Sequence, residues 1–472
     1  MRKNTMALTL GLVLAGACVD NPIVLPENIP TTEALSGPLT QAGVQTLVLG
    51  VLAQDRALAR EFSYNLFPSV YARDAYRIDP NEPRFVTETL GGPPDPGSFA
   101  GAGGYTNGYV TIRAANTLLA ALPAAVESQI TPAQRNATAG FVQTIKALEY
   151  YRVLELRDTI GIPIQAQDPA VVAPISCKAN VMAYIASLLD SASANLAAAG
   201  AATTLPFTLP TGFTAFGRNY GMVPNVVLLN RGLKGKLDVY RALQHTSPTA
   251  GANALAITEL TQALGGAAPG AVPSSQFATG AYVTFVAGGT ENAANPIVDS
   301  RIGANPKAQA ALQPGDTRAS KIIARSAISG FGISTSLNFI GANTANTANL
   351  TRPFAILRDE ELVLLRAQAY FEAGQFANGA ADLNSVRTSY GLAAIAVPAD
   401  LATARTALLY EKRYSLFFEG PQRLVDLRAY GLLKAGITPP EVAGDPFNTA
   451  LPIPKPEADA RGGTGNLTPV CQ

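Results

Sequence analysis

Apolar positions recur at helical spacing along most of the chain, most regularly from Thr351 to Gly431. That stretch opens with TRPFAILRDEELVLLRAQAYFEAGQF. At 100° per residue, Arg358, Glu361, Gln368, Glu372 and Gln375 fall on one narrow polar stripe, and Leu362, Leu364, Leu365, Ala369 and Ala373 cover the rest. The pattern predicts a mostly buried helix. Gly374 stands where a helix end favours a residue free to take positive φ, and Phe376, Ala380, Leu383 and Val386 then continue at helical spacing. Together these runs predict an αα-hairpin. A third helix, LLYEKRYSLFFEG, is predicted from Leu408 to Gly420, followed by PQRLVDLRAYG up to Gly431.

Upstream, the same periodicity predicts helices from Leu39 to Phe62, Tyr105 to Leu122, Thr131 to Leu156, Ala179 to Ala199 and Pro224 to Leu243. Thr131 before Pro132 is a clear start signal, and Phe141, Ile145, Leu148, Tyr151 and Leu154 make one aromatic and aliphatic face. Arg231, Lys234, Lys236 and Arg241 alternate with Leu and Val and are expected on a solvated flank. From Ser63 the pattern breaks into SYNLFPSVYARDAYRIDPNEP, read here as a loop. It concentrates aromatic and hydrogen-bonding side chains, as a site for a sugar or small peptide requires. Tyr64, Tyr71, Arg73, Asp74, Tyr76 and Arg77 are therefore the candidate ligand-binding residues, against the reading that they pack the loop onto the helices. Between about Gly265 and Leu350 the texture turns to Gly, Ala, Asn, Thr and Ser, predicting an irregular excursion with short strands at Ala281 to Gly288 and Ala319 to Ile328. Beyond Gly436 no periodicity remains.

Composition narrows the chemistry. Only 15% of residues are charged, net charge is +1, and mean hydropathy is +0.15, which fits a globular chain without the basic face that nucleic acid wants. One histidine, His245, and three cysteines exclude the usual zinc arrangements, and His245 reads as a helix-end or loop residue. GFGIS at Gly330 lacks the third glycine of a dinucleotide fingerprint, and no nucleophile elbow or P-loop is present. No metal or cofactor is called for. Because the chain has no Trp, any sugar platform must be Tyr or Phe.

The N-terminus, MRKNTMALTLGLVLAGAC, carries two positive charges, an apolar stretch from Met6 to Ala15, then Gly16 and Ala17 before Cys18. It is too short to span a bilayer and reads as an export signal over residues 1–17. Its end resembles the bacterial lipoprotein signal, in which the cysteine is lipidated, so Cys18 is the expected lipid-attachment residue. Several acyl chains anchor stably where one does not. Residues 18–38, with Pro22, Pro26 and Pro30, fit an extended tether, and residues 39–472 are expected to form one helical domain. With Cys18 taken for lipid, Cys177 and Cys471 remain, either bonded to each other or as two free thiols.

In the Thr351 hairpin, small residues at Ala367, Ala373 and Gly379, with Tyr370, Gly374 and Phe376, resemble one tetratricopeptide unit. The longer ordered set of Pro353, Arg358, Glu361, Arg366, Asn384, Arg387, Gly391 and Leu392, then Glu411, Arg413, Phe418, Glu419, Gly420, Arg423, Asp426, Leu427 and Arg428, resembles the RagB/SusD-like outer-membrane nutrient-binding lipoproteins. Departures stand at Gln368, Ser415, Pro421, Gln422 and Tyr430. Arg366, Glu411, Glu419, Arg423 and Asp426 are read as packing and ion-pair positions, since a buried Arg must find a carboxylate.

The resemblance implies a mainly α, tetratricopeptide-like scaffold, the SusD-like α-α superhelix. It also implies a lipid-anchored protein, exposed at the surface of the bacterial outer membrane, that binds oligosaccharide or peptide. The ligand would pass to a SusC-like TonB-dependent outer-membrane barrel with no chemical step. Two other readings stand beside it: an exported glycoside hydrolase using paired carboxylates, for which no pair among the 34 acids is identified by spacing, and a helical-repeat scaffold for another protein.

Overall fold

The computed structural model describes residues 37–56, 58–99, 104–164, 171–244, 248–286, 294–463, 467 and 469–470. Its body is a succession of helical hairpins, and the sequence supplies a side-chain cap at the start of some of the helices. Thr131 and Gln134 close a reciprocal capping box, with Pro132 in the first turn, and launch the helix Pro132–Arg157. For reference, the preceding helices are α1 (Gln41–Asp55), α2 (Leu58–Tyr71), α3 (Arg84–Thr87) and α4 (Thr106–Ala121), which makes Pro132–Arg157 α5.

Helix α5 packs on α6 (Lys178–Ala199), and α7 (Val223–Ala242) packs on α8 (Ala252–Ala263). Small residues set these crossings. A Cβ on Gly140 would lie 2.5 Å from Leu196 Cγ and 2.9 Å from the Ala192 carbonyl, and one on Gly235 would lie 2.5 Å from Leu260 Cγ. Downstream come α9 (Pro306–Ala310), α10 (Asp359–Glu372), α11 (Phe376–Ser389), α12 (Leu401–Ser415), α13 (Gln422–Ala429) and α14 (Lys455–Ala460). The predicted α10–α11 turn is present: Gly374 has φ +74°, and the Gln375 N–H reaches the Tyr370 carbonyl at 2.8 Å. One contiguous apolar core runs from Leu39 to Ile453.

The strands form four two-stranded antiparallel ladders among the described residues. β1 (Ala75–Arg77) pairs with β5 (Ile302–Ala304), β2 (Ile162–Pro163) with β3 (Ile175–Ser176), β4 (Gly280–Val283) with β8 (Phe354–Arg358), and β6 (Ile322–Gly330) with β7 (Ile333–Phe339).

Several elements differ from the sequence reading. The predicted Leu39–Phe62 helix breaks at Arg56, and α2 then runs through Pro68 to Tyr71, so the segment from Ser63 is helix and then strand rather than loop. FAILR, taken as the start of a helix, is β8, because its backbone pairs with β4 from Val283 to Gly280. The polar stripe of α10 is not solvated: Arg358, Glu361 and Gln368 are buried. Helix α8 had no predicted counterpart. The excursion is more ordered than expected, since β6 and β7 register from Ile322 opposite Phe339 to Gly330 opposite Ile333. The third C-terminal helix starts earlier, capped by the Asp400 carboxylate on the Thr403 N–H at 2.8 Å, and ends at Ser415.

The cations of α7 also reverse expectation, and Arg231, Lys234 and Lys236 are buried. Lys236 Nζ lies 3.4 Å from Glu155 and 3.0 Å from Glu361, while Arg231 bridges Asp190 and Glu259 at 3.2 and 3.1 Å. Arg241 pairs with Asp238 at 2.7 Å. Partners supplied by other helices make this burial tolerable.

Candidate functional site

The segment singled out in the sequence closes α2 and opens β1. The Asp74 N–H bonds the Ser69 carbonyl at 2.9 Å and the Arg73 N–H that of Val70 at 3.0 Å, with Arg73 at φ 61° where glycine is usual. A side chain held elsewhere sustains that conformation. The Arg73 guanidinium donates to the Pro446 carbonyl at 2.7 Å and sits 5.3 Å from the Phe447 ring centroid. Asp445 lies 4.0 Å away.

Tyr76 donates its hydroxyl to Glu441, whose carboxylate also accepts from Asn305 at 2.9 Å and Lys307 at 3.3 Å. Burial and then the Glu441 contact push the Tyr76 phenol far above its usual range. Asp74 takes Arg413 Nε at 2.9 Å. Arg77 lies 3.5 Å over the Phe85 ring and 3.2 Å from Asp299.

Tyr64 and Tyr71 point elsewhere. Tyr64 donates to Glu155 in the helical core, and the buried Tyr71 hydroxyl has no hydrogen-bond partner among the described residues. All six candidate residues are buried, none more than 6% exposed. They are packed inward, as the competing sequence reading had it, because helix α2 and the pairing of β1 with β5 turn the segment into the body. Arg73 and Tyr76 meet at the 441–447 segment and fasten it onto the fold, whereas Asp74 turns to Arg413 and Arg77 to Asp299.

What lies above that layer is open. A groove of about 150 Å³ is bounded by Val86, Leu90, Phe331, Ile333, Val442 and Asp445. Phe331 forms the tip of the β6–β7 hairpin with φ 54° and is 42% exposed. Ile78, one residue beyond β1, packs under the tip at Gly330. Val442 is also exposed, so the face offers an aromatic ring, an apolar wall and one carboxylate. Such a set stacks on the C–H face of a ring and accepts a hydrogen bond from a hydroxyl. The sequence signal for it was the aromatic between two glycines in GFGIS.

Among the described residues no group of three or more His, Cys, Asp or Glu is placed to hold a metal ion. Cys177 is disulfide-bonded, and its N–H reaches the Val470 carbonyl at 3.2 Å. Cys18, His245 and Cys471 lie outside the described residues.

No protein-family model matches the chain, and no curated protein matches it in sequence. Solved structures do match over nearly the whole length. Surface glycan-binding protein A from Bacteroides uniformis aligns with a TM-score of 0.66 at 13% identity, over 89% of this chain and 97% of that one. A SusD superfamily protein from Bacteroides fragilis gives 0.62 at 16% identity over 91% and 95%. A laminarin-binding SusD-like protein gives 0.60 at 18% identity over 87% and 96%. The chain therefore has the mainly α, tetratricopeptide-like fold of the SusD-like carbohydrate-binding proteins.

Proposed function

We propose that this protein is a lipid-anchored, surface-exposed outer-membrane protein that captures an oligosaccharide at the Phe331 groove and passes it to a SusC-like TonB-dependent barrel without a chemical step. The observation that carries the reading is the exposed Phe331 ring, held at positive φ above a buried scaffold in a fold shared with glycan-binding proteins. The two-residue turn joining β6 to β7, with positive φ at both Phe331 and Gly332, holds the ring out from the hairpin. The absence of Trp from the chain makes this Phe the natural platform. Cys18 supplies the anchor and residues 18–38 the tether, as the signal-like N-terminus implies.

Affinity electrophoresis of the soluble body through gels containing laminarin and unrelated glycans tests the binding. Retardation by one glycan, weakened roughly tenfold in Phe331→Ala, is expected. No retardation, or a variant that binds like the parent, overturns the assignment. Detergent pull-down of the full-length protein from its native membrane tests the partner, and recovery of a large barrel in stoichiometric amount is expected.

A further inference from the structure

A second cavity, of about 300 Å³, opens between the end of β7, the start of β8 and the turn that follows α12. It shares no lining residue with the Phe331 groove. Its walls are aromatic: Tyr282, Phe339, Phe354 and Phe418 line it, and the Phe339 and Phe418 rings stack with centroids 3.9 Å apart and planes 11° from parallel. Phe418, held at φ 59°, is 8% exposed and lines the cavity from the edge of the apolar core.

Its charges are unevenly matched. Arg358 is held by Glu419 at 2.9 and 3.3 Å, by Glu360, and by the Ser415 carbonyl at 2.9 Å. Lys321 lies 3.5 Å from Glu419 and donates to the same Ser415 carbonyl at 2.5 Å. Two cations and two carboxylates thus cancel. Arg352, at the mouth, is the remaining cation, exposed and without a side-chain hydrogen bond or ion pair among the described residues. Its guanidinium lies across Gly341, where an added Cβ would stand 3.3 Å from Nη1. A side chain there would crowd the position that Arg352 occupies.

We infer that this cavity is a second ligand site, which takes a carboxylate carried on a ring: the ring lies against Phe418 and Phe354, and the carboxylate pairs with Arg352. Arginine suits this because its planar fork meets a carboxylate through two parallel hydrogen bonds. An apolar wall beside the pair lowers the local dielectric and strengthens it. Sugar acids and aromatic acids share this chemistry.

Titration calorimetry on the folded body with D-galacturonate, benzoate and neutral D-glucose at pH 7 tests the proposal. At least one of the two carboxylates is expected to bind where glucose does not, to weaken as salt rises, and to lose roughly tenfold in affinity in Arg352→Gln, with partial recovery in Arg352→Lys. Galacturonate alone binding identifies a sugar acid, and benzoate alone an aromatic acid. An unchanged melting temperature in Arg352→Gln separates a lost contact from a lost fold, as expected for an exposed side chain. Neither carboxylate binding, or equal binding by the parent and Arg352→Gln, overturns the site.

Discussion

The helical body and the loop-rich excursion differ in how densely they bury charge. In the body, charges are carried inside and matched between helices: Lys236 of α7 between Glu155 of α5 and Glu361 of α10, Lys412 on Asp426 of the next helix at 2.7 Å, and Arg366 on Asp382 of the next helix at 2.8 Å. In the excursion, charge is sparse and aromatics reach the surface, as at Phe331. Internal ion pairs fix which helix meets which, because a mispaired arrangement would strand a charge in the core. The excursion carries fewer such pairs, Arg318 with Asp316 and Glu411 and Asp299 with Arg77 among them, and its hairpin tip is left free to present side chains to solvent.

The strongest perturbation of that contrast strands the buried charge that binds the excursion to the body. Arg318 has a fully buried side chain between Asp316 at 2.8 Å and Glu411 at 2.7 Å. Arg318→Ala leaves the Asp316 carboxylate without its cation, while Glu411 keeps Arg387 at 2.8 Å, and is expected to cost about 3 kcal/mol, read as a lower urea midpoint. The same pair should respond to acid. Burial pushes the Asp316 carboxyl up, but the Arg318 and Tyr410 hydrogen bonds outweigh it and hold the group below its ordinary value. Glu360, held down by Arg358 against its burial, behaves alike. Such groups stabilise the fold above the unfolded carboxylate pKa, near 4, and that contribution is lost as pH falls through the lower folded value. Asp359, raised by burial, opposes this in part. The urea midpoint should drop below about pH 4, and less steeply in Arg318→Ala.

Next in size is steric. Gly140→Ala drives a methyl toward Leu196 and the Ala192 carbonyl at the α5–α6 crossing, where backbone cannot yield cheaply. About 1–3 kcal/mol of destabilisation is expected in thermal melts, without effect on ligand binding.

Legibility in the sequence divided along the same line. The start of α5 was readable because Thr131, Pro132 and Gln134 form a local device, and the α10–α11 turn because Gly374 must take positive φ. What failed was non-local. FAILR fits either a helix or a strand, and only β4, about seventy residues earlier in the chain, decides it. Lys236 looked solvated because its partners, Glu155 and Glu361, are far away along the chain. For the candidate site, all six residues named from the sequence are buried. Arg73 and Tyr76 are rich in hydrogen-bonding groups because they hold the 441–447 segment, and a count of polar aromatics does not distinguish a support from a contact. Asp445 and Phe331 meet only through the fold.

A smaller perturbation tests that support. Tyr76→Phe removes one donor from Glu441 and leaves its bonds from Asn305 and Lys307. About 1 kcal/mol is expected to be lost, concentrated locally: amide exchange should quicken across 441–447 while α5 and α10 keep their protection. Uniform quickening would mean that the segment belongs to the body rather than resting on it.

The smallest stability effect should come from the hairpin tip, and its sign sharpens the contrast. Phe331 occupies a left-handed conformation, and its exposed ring contributes little to the core. Phe331→Gly removes the steric penalty for positive φ, but glycine also loses more entropy on folding, so the net change should stay within about 1 kcal/mol. Glycan retardation, by contrast, should weaken as in Phe331→Ala. A variant that melts like the parent yet no longer binds places Phe331 among residues kept for the ligand at a small structural cost. Loss of several kcal/mol would instead make the ring part of the scaffold, and the excursion would then obey the same packing rule as the helices.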